Sequence, residues 1–320
     1  MQLHHRRLQL STTIKYCLLT CIAGMFFPAN ADSTTESNAT NNIVVTTKPL
    51  YSLVAHLTVG ISDPILLSNN TSTPHHYTMR PSERRLLAKA NIIIWPGADI
   101  EPQLDKIIKQ QGDSAYSISA LQAKKLTLLD KRSKHPRHGH EPATNEHSRP
   151  NLVDPHIWLS AHNAAQISKH ISKRLTTYDP INSAQYKKNL TQLLNKIELT
   201  KRSIEKNLSG SKQPYLVFHD AFQYFENEYS LNHIAAINYD DETGGSLKHM
   251  QQITNLIKTN GIRCLVYQPP KSTIIDKLTS KTAIAATELD PLGRYVSDDT
   301  NAWFEIMRQM SSNFSTCLNQ

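Results

Sequence analysis

The sequence predicts an α/β protein in which strand and helix alternate twice over, as two lobes built on parallel sheets. Three observations carry this. Short apolar runs at 42–46 and 215–218 are each followed at once by a helical stretch, 49–59 and 221–229, the opening move of an α/β unit. The run Ile92-Ile93-Ile94-Trp95 has no polar face, so it is covered on both sides, which places it at the centre of a parallel sheet. The chain beyond its N-terminal leader, about 290 residues, is long enough to bury two cores.

Taken in order, residues 42–46 (Asn-Ile-Val-Val-Thr) form the first strand, and 49–59 a helix with Leu50, Leu53, Val54 and Leu57 inward. A short strand at 64–67 leads into the loop that carries His75, and Ser82 caps the following helix, whose Leu86, Leu87 and Ala90 share a face. Strand 92–95 ends at Pro96-Gly97, helix 101–111 follows, and 126–129 reads as a further strand. From 130 to 150 the composition turns to Lys, Arg, His, Pro and Gly, which cannot build a core and reads as a flexible loop. Two long helices, 163–176 and 185–208, are split by Tyr178-Asp179-Pro180, and one of them crosses between the lobes. The second alternation comprises strand 215–218, helix 221–229, strand 234–238, a turn and cap at 243–246, helix 247–259, strand 263–267, helix 272–279, strand 284–288 and a last helix 299–310. The expected organisation is a first lobe over 42–162, helical segments over 163–208, and a second lobe over 209–320.

Residues 1–31 are excluded from the fold. Arg6, Arg7 and Lys15 precede an apolar stretch at 16–27 too short to span a bilayer, and Ala29-Asn30-Ala31 fits a cleavage site, so the chain is expected to be exported. Cys21 raises a lipoprotein alternative, against which stand the few apolar residues ahead of it and an Ala-Asn-Ala site that would then go unused. Three of the 35 Lys and Arg, and no Asp or Glu, lie in that leader, so the net charge falls from +8 to +5. The remaining cations are dispersed, with no basic stripe or aromatic stacking pattern, which argues against nucleic acid as a partner. Removing the leader leaves Cys264 and Cys317, which in an oxidising compartment read as one disulfide, the alternative being two buried thiols. The bridge would close a loop of roughly fifty residues, worth about 4 kcal/mol of chain entropy.

Four segments carry chemistry. His75 lies in a loop pinned to a helix, His156 in Asp154-Pro155-His156-Ile157-Trp158, His219 at the end of an apolar run, and Asp290 just beyond another. Three imidazoles and a carboxylate suit a borderline cation such as zinc, and their wide separation rules out a local finger-type site. Asp154 and Asp220 are close enough in sequence to orient the rings as acceptors. His135, His138, His140 and His147, in the loop, are either a weak collector of metal or part of a solvated insert.

At these residues the chain resembles the periplasmic zinc-binding components of ABC metal importers, the ZnuA-like, cluster A-I solute-binding proteins. The resemblance rests on Pro74-His75-x-Tyr77 followed by Arg80-Pro81-Ser82, on Asp154-Pro155-His156-x-Trp158-Leu159-Ser160, on Phe218-His219-Asp220-Ala221-Phe222-x-Tyr224-Phe225, and on Leu289-Asp290-Pro291-Leu292-Gly293, in that order. It implies two α/β lobes joined by one long helix, with the metal in the inter-lobe cleft. His75 and His156 would come from the first lobe, His219 and Asp290 from the second. Manganese and iron relatives have a glutamate at the position of His219, so nitrogen here favours zinc. Pro74 stands where some members have an acidic residue, which leaves Asp290 or a water as fourth ligand. Gln268-Pro269-Pro270 replaces the family's Glu-Pro-Gln, and His76, where aspartate is common, is either a further ligand or a solvent-facing neighbour. The implied function is capture of Zn2+ in the periplasm, as a monomer, for an ABC permease, not an enzyme activity. The alternatives are a manganese or iron relative, a metal-binding adhesin or free metal chaperone, and a zinc hydrolase. Against the last, the sequence has no His-Glu-x-x-His and no nucleophile elbow.

Overall fold

Each of the two parallel sheets in the computed structural model repeats the strand order of the other. The structure describes residues 42–67, 79–112, 115–132, 153–238 and 247–320. Outside them lie residues 1–31, expected to be a leader, His75, His76, His135, His138, His140, His147 and residues 243–246, expected to be a turn. The first sheet has the order β2-β1-β3-β4, from β1 (Ile43–Val45), β2 (Ile65–Leu66), β3 (Ile92–Trp95) and β4 (Tyr116–Ser119). The second has the order β6-β5-β7-β8, from β5 (Tyr215–His219), β6 (His233–Asn238), β7 (Cys264–Tyr267) and β8 (Ala285–Glu288). All pairings are parallel. In each sheet the winding reverses next to the first strand, between β1 and β3 and between β5 and β7. Such reversal points open a crevice at the strands' C-terminal ends, where ligands bind in open α/β sheets.

As expected, β3 is central and buried along its whole length. The expectation of a strand at 126–129 is corrected: the fourth strand is β4, Tyr116-Ser117-Ile118-Ser119, and residues 126–129 are not a strand. As an edge strand β4 needs only Ile118 fully inside, so its sequence is too polar to announce it. The helix α2 (Pro81–Ala88) is capped differently from the expectation, since Arg80 is its N-cap residue and the Glu83 carboxylate accepts the Arg80 N–H at 2.7 Å.

Helices α1 (Lys48–Leu57), α4 (Ala161–Tyr178), α5 (Ser183–Leu208) and α9 (Ala302–Leu318) pack against one another and against the inner strands of both sheets. The main core therefore runs continuously through both lobes. Its centre is a tryptophan pair: Trp303 Nε1 donates to the Trp158 carbonyl at 2.8 Å, and Trp158 Nε1 to the Pro291 carbonyl at 2.9 Å, both rings being fully buried. The 26-residue α5 is the long helix, anchored to the first lobe where Asn189 donates to the Leu57 and Val59 carbonyls, at 2.9 Å each. Smaller apolar clusters close the outer faces, under α2 and α3 (Pro102–Gln111) in one lobe and under α7 (Leu247–Thr259) and α8 (Thr273–Thr282) in the other. Cys264 and Cys317 form the expected disulfide, with Cα atoms 5.4 Å apart, tying β7 to the end of α9. Among the described residues no helix is long and apolar enough to cross a membrane.

Just past the C-terminal end of β1, Thr46 Oγ1 donates to the buried Glu101 carboxylate at 2.7 Å. Burial pushes that carboxyl up to about 7, and the Thr46 hydrogen bond pulls it only part of the way back. An acid raised on folding binds more protons folded than unfolded between its two pKa values. Stability is therefore full below the ordinary value of 4.5, falls as the pH rises to about 7, and stays lower above it. Glu101→Gln, which keeps an acceptor for Thr46 without the charge, is expected to stabilise the metal-free protein by about 2–3 kcal/mol at pH 8 and by almost nothing at pH 4. Denaturant melts at the two pH values check this; equal effects at both would exclude the buried charge as the cause.

Candidate metal centre

His156 belongs to a segment with little freedom. It precedes a single 3-10 turn, Ile157–Leu159, whose three side chains are all buried, and Ser160 then caps α4 by accepting the Asn163 N–H at 3.0 Å. The Asp154 carboxylate Oδ1 accepts twice from His156, from the backbone N–H at 2.9 Å and from ring Nδ1 at 2.8 Å. Because a carboxylate only accepts, Nδ1 carries a proton, which leaves Nε2 as the nitrogen on the side a metal would use. Only 2% of His156 is exposed, and its ring meets that of Trp158 edge-on, with centroids 5.7 Å apart.

His219 is the last residue of β5, beside the point where the second sheet's winding reverses. Its ring centroid lies 6.1 Å from that of His156, with the planes inclined by 72°. Two imidazoles on one tetrahedral ion, with Zn–N bonds near 2.0–2.1 Å, hold their centroids about 5 Å apart. The observed separation exceeds that by about 1 Å.

Asp290 sits two residues beyond β8 in a loop fastened to the first lobe. Its Oδ1 accepts from the backbone N–H of Leu292 at 3.2 Å and of Gly293 at 3.1 Å, and its Oδ2 from that of Arg294. The bond from Trp158 to Pro291 attaches the loop to the His156 segment. Lys48, at the start of α1, donates to the carbonyls of Gly293 at 2.6 Å and Val296 at 2.7 Å and pairs with Asp298 at 2.8 Å. Gly293 is required here: its φ is +69°, and a Cβ would come within 2.6 Å of Ile306 Cδ1. With three backbone donors on it, the carboxylate serves first as the cap of its own turn.

Of the four expected ligands, then, the structure brings the rings of His156 and His219 together and describes Asp290 in a braced loop. His75 lies outside the described residues, as do His76 and the four histidines of the insert. Among the described residues, the trio whose donor atoms all lie within 4.8 Å of one another is a different one, Asp220, Glu226 and His233. Arg132 is already lodged against it, with Nη1 2.9 Å from Asp220 Oδ1 and Nη2 2.7 Å from Glu226 Oε2. Burial outweighs that cation at the carboxyls, pushing Asp220 up to about 6 and raising Glu226, whereas at His233 burial and Arg132 act together to lower it to about 4, so that the imidazole is neutral. Asp154 thus takes the orienting role expected of it, whereas Asp220 is drawn to Arg132. The cluster was not visible in the sequence, where Arg132 lies 88 residues from Asp220 in a stretch that reads as solvated charge.

Asp154→Asn keeps the shape but can present an amide N–H where the ring N–H must be accepted. Loss of such an orienting acceptor typically costs 10–100-fold in metal affinity, and about that reduction in zinc affinity is expected in a chelator competition.

A family model described as ZnuA, zinc-uptake complex component A, periplasmic, matches residues 43–317. The high-affinity zinc uptake system protein ZnuA of Brucella suis biovar 1 is 30% identical over 310 residues, covering 87% of this chain and 92% of that protein. ZnuA of Haemophilus ducreyi is 28% identical over 302 residues, with 90% and 96% covered. Among solved structures, a crystal structure of ZnuA superposes with a TM-score of 0.72 at 20% identity, covering 87% of this chain and 99% of that one. The Pseudomonas aeruginosa solute-binding protein FpvC in complex with Mn2+ also reaches 0.72, at 16% identity, with 88% and 98% covered. On the match from residue 43 to residue 317 and the 30% identity to the Brucella protein, this chain is a member of the ZnuA family of zinc-uptake components.

Proposed function

We propose that this protein captures Zn2+ in the periplasm, as a monomer, and delivers it to an ABC permease. The observation that carries the reading is the approach of two imidazoles from different lobes, His156 and His219, to 6.1 Å between centroids, with His156 held in its metal-binding tautomer by Asp154. Named relatives that share most of this chain's length are zinc uptake proteins, which supports the same cargo here. The ligand set is His156 and His219 with His75, and Asp290 or a water completes the tetrahedron. Neutral imidazoles bind metal and imidazolium does not, so affinity falls as the pH drops through the histidine range. The site performs no covalent chemistry; its work is ligation and release.

A structure of similar fold holds manganese, so the fold alone does not select the cation and the donors must. Nitrogen at position 219 favours the borderline cation over the hard one. Calorimetric titration of the metal-free protein is expected to show one tight zinc per chain and at least about 100-fold weaker manganese binding, and a preference for manganese would overturn the cargo assignment. A deletion strain whose growth in chelator is restored by zinc and not by manganese supports delivery. Restoration by neither metal would point to the adhesin or chaperone alternative.

A further inference from the structure

The two ends of the histidine-rich insert are joined to each other and then to the second lobe. Asp130 and Val153 form an isolated antiparallel bridge, and the Asp154 N–H donates to the Leu129 carbonyl at 2.8 Å. Helix α6 (Gln223–Tyr229), which follows His219 almost directly, grips this neck from the other lobe. Gln223 Nε2 donates to the Asp130 carbonyl at 2.9 Å. The Tyr224 hydroxyl donates to the Asp154 carbonyl at 3.1 Å and accepts from the Leu129 N–H at 3.1 Å. Arg132 completes the grip by forking between Asp220 and Glu226, whose side chains are 5% and 2% exposed. The neck therefore carries Asp154, which holds His156, and through Arg132 it holds Asp220, which adjoins His219.

We infer that Arg132 is a positioning residue for metal capture, setting the place of His219 relative to His156 through Asp220 and α6. This rests on the proposed reading of those two histidines as ligands. The physical reason is charge in a dry place. The guanidinium bridges Asp220 and Glu226 in one fixed geometry, and without it two adjacent buried carboxyl groups lose the partner that holds them in place. Glu226 is on α6 and Asp220 follows His219 at the end of β5, so loss of the bridge frees α6 and that strand end to shift. Lysine cannot replace the fork, because an ammonium is a point charge and does not bind two carboxylates in a fixed geometry. An open pocket of about 490 Å³ bordered by Arg132, Glu226 and His233 gives a small cation access to Glu226.

The test compares Arg132→Ala and Arg132→Lys with the wild-type chain from residue 32 onward by zinc affinity, by zinc release into excess chelator, and by the imidazole 15N signals of His219 in metal-free protein. Arg132→Ala is expected to weaken zinc binding about 10–100-fold, mostly through faster release, and to displace the His219 signals while leaving those of His249 in place. Arg132→Lys is expected to fall between the two, and millimolar methylguanidinium to restore Arg132→Ala part of the way. Folded Arg132→Ala with wild-type affinity, release and His219 signals overturns the inference. If that variant does not fold, Arg132→Lys indistinguishable from wild type overturns it instead. A wild-type chain that takes up no zinc would refute the reading of the ligands, yet the His219 signals would still decide whether Arg132 positions that ring.

Discussion

Replacing His219 with alanine is expected to lower zinc affinity by more than about 100-fold, a larger loss than substituting residues that only orient a ligand. His219 is the proposed nitrogen ligand from the second lobe, so its loss would remove both a donor and the link proposed to draw the lobes around the ion. His249 is the matched control: its Nε2 lies 2.8 Å from the Ile237 carbonyl in the same lobe, so His249→Ala tests the removal of a histidine without a ligand role. Chelator competition with both variants checks the claim. Equal affinities in wild type and His219→Ala would remove His219 from the site.

The second large effect concerns stability and should leave the metal almost untouched. Cys264 begins β7, at the edge of the sheet opposite the strand end that carries His219, and Cys317 lies near the end of α9. The disulfide closes a loop with a sequence separation of 53, so replacing both cysteines with serine should cost about 4 kcal/mol on the chain-entropy account. Both sulfurs are buried, and two hydroxyls in their place add some desolvation cost. Denaturant midpoints measure the loss, while zinc affinity at low denaturant should stay within about threefold of wild type. A loss below about 1 kcal/mol would mean that the bridge adds little to what packing of α9 already provides.

What could be read from the sequence was whatever repeats locally. The apolar run 92–95, the apolar face of the helix that became α5, and the strand ends at His219 and near Asp290 express periodicity or abrupt polarity changes within a few residues. The partnership of Asp154 with His156 was legible for the same reason, the two being only two positions apart. The strand β4 was missed because an edge strand with one fully buried residue leaves almost no pattern. The cap of α2 was misassigned because a serine close to the helix start resembles a cap, whereas Glu83 reaches back to the Arg80 N–H from inside the first turn. The neck of the insert was illegible in principle. Nothing within the segment 129–132 says that an arginine will pair with carboxylates 88 and 94 positions further on, a fact created by the packing of α6 against the first lobe. Asp220 illustrates the limit: adjacency to His219 suggested an orienting role, but the half-buried guanidinium of Arg132 claims its carboxylate.

The central claim is that one zinc ion is held where His156 and His219 face each other. Crystals of the protein from residue 32 onward grown with one equivalent of zinc, measured on both sides of the zinc absorption edge, test it most directly. The account predicts one strong anomalous peak bonded to both rings at about 2.0–2.1 Å, with the ring centroids drawn closer than in the metal-free form. A peak against Asp220, Glu226 and His233 with Arg132 displaced, and none between the two rings, would contradict it.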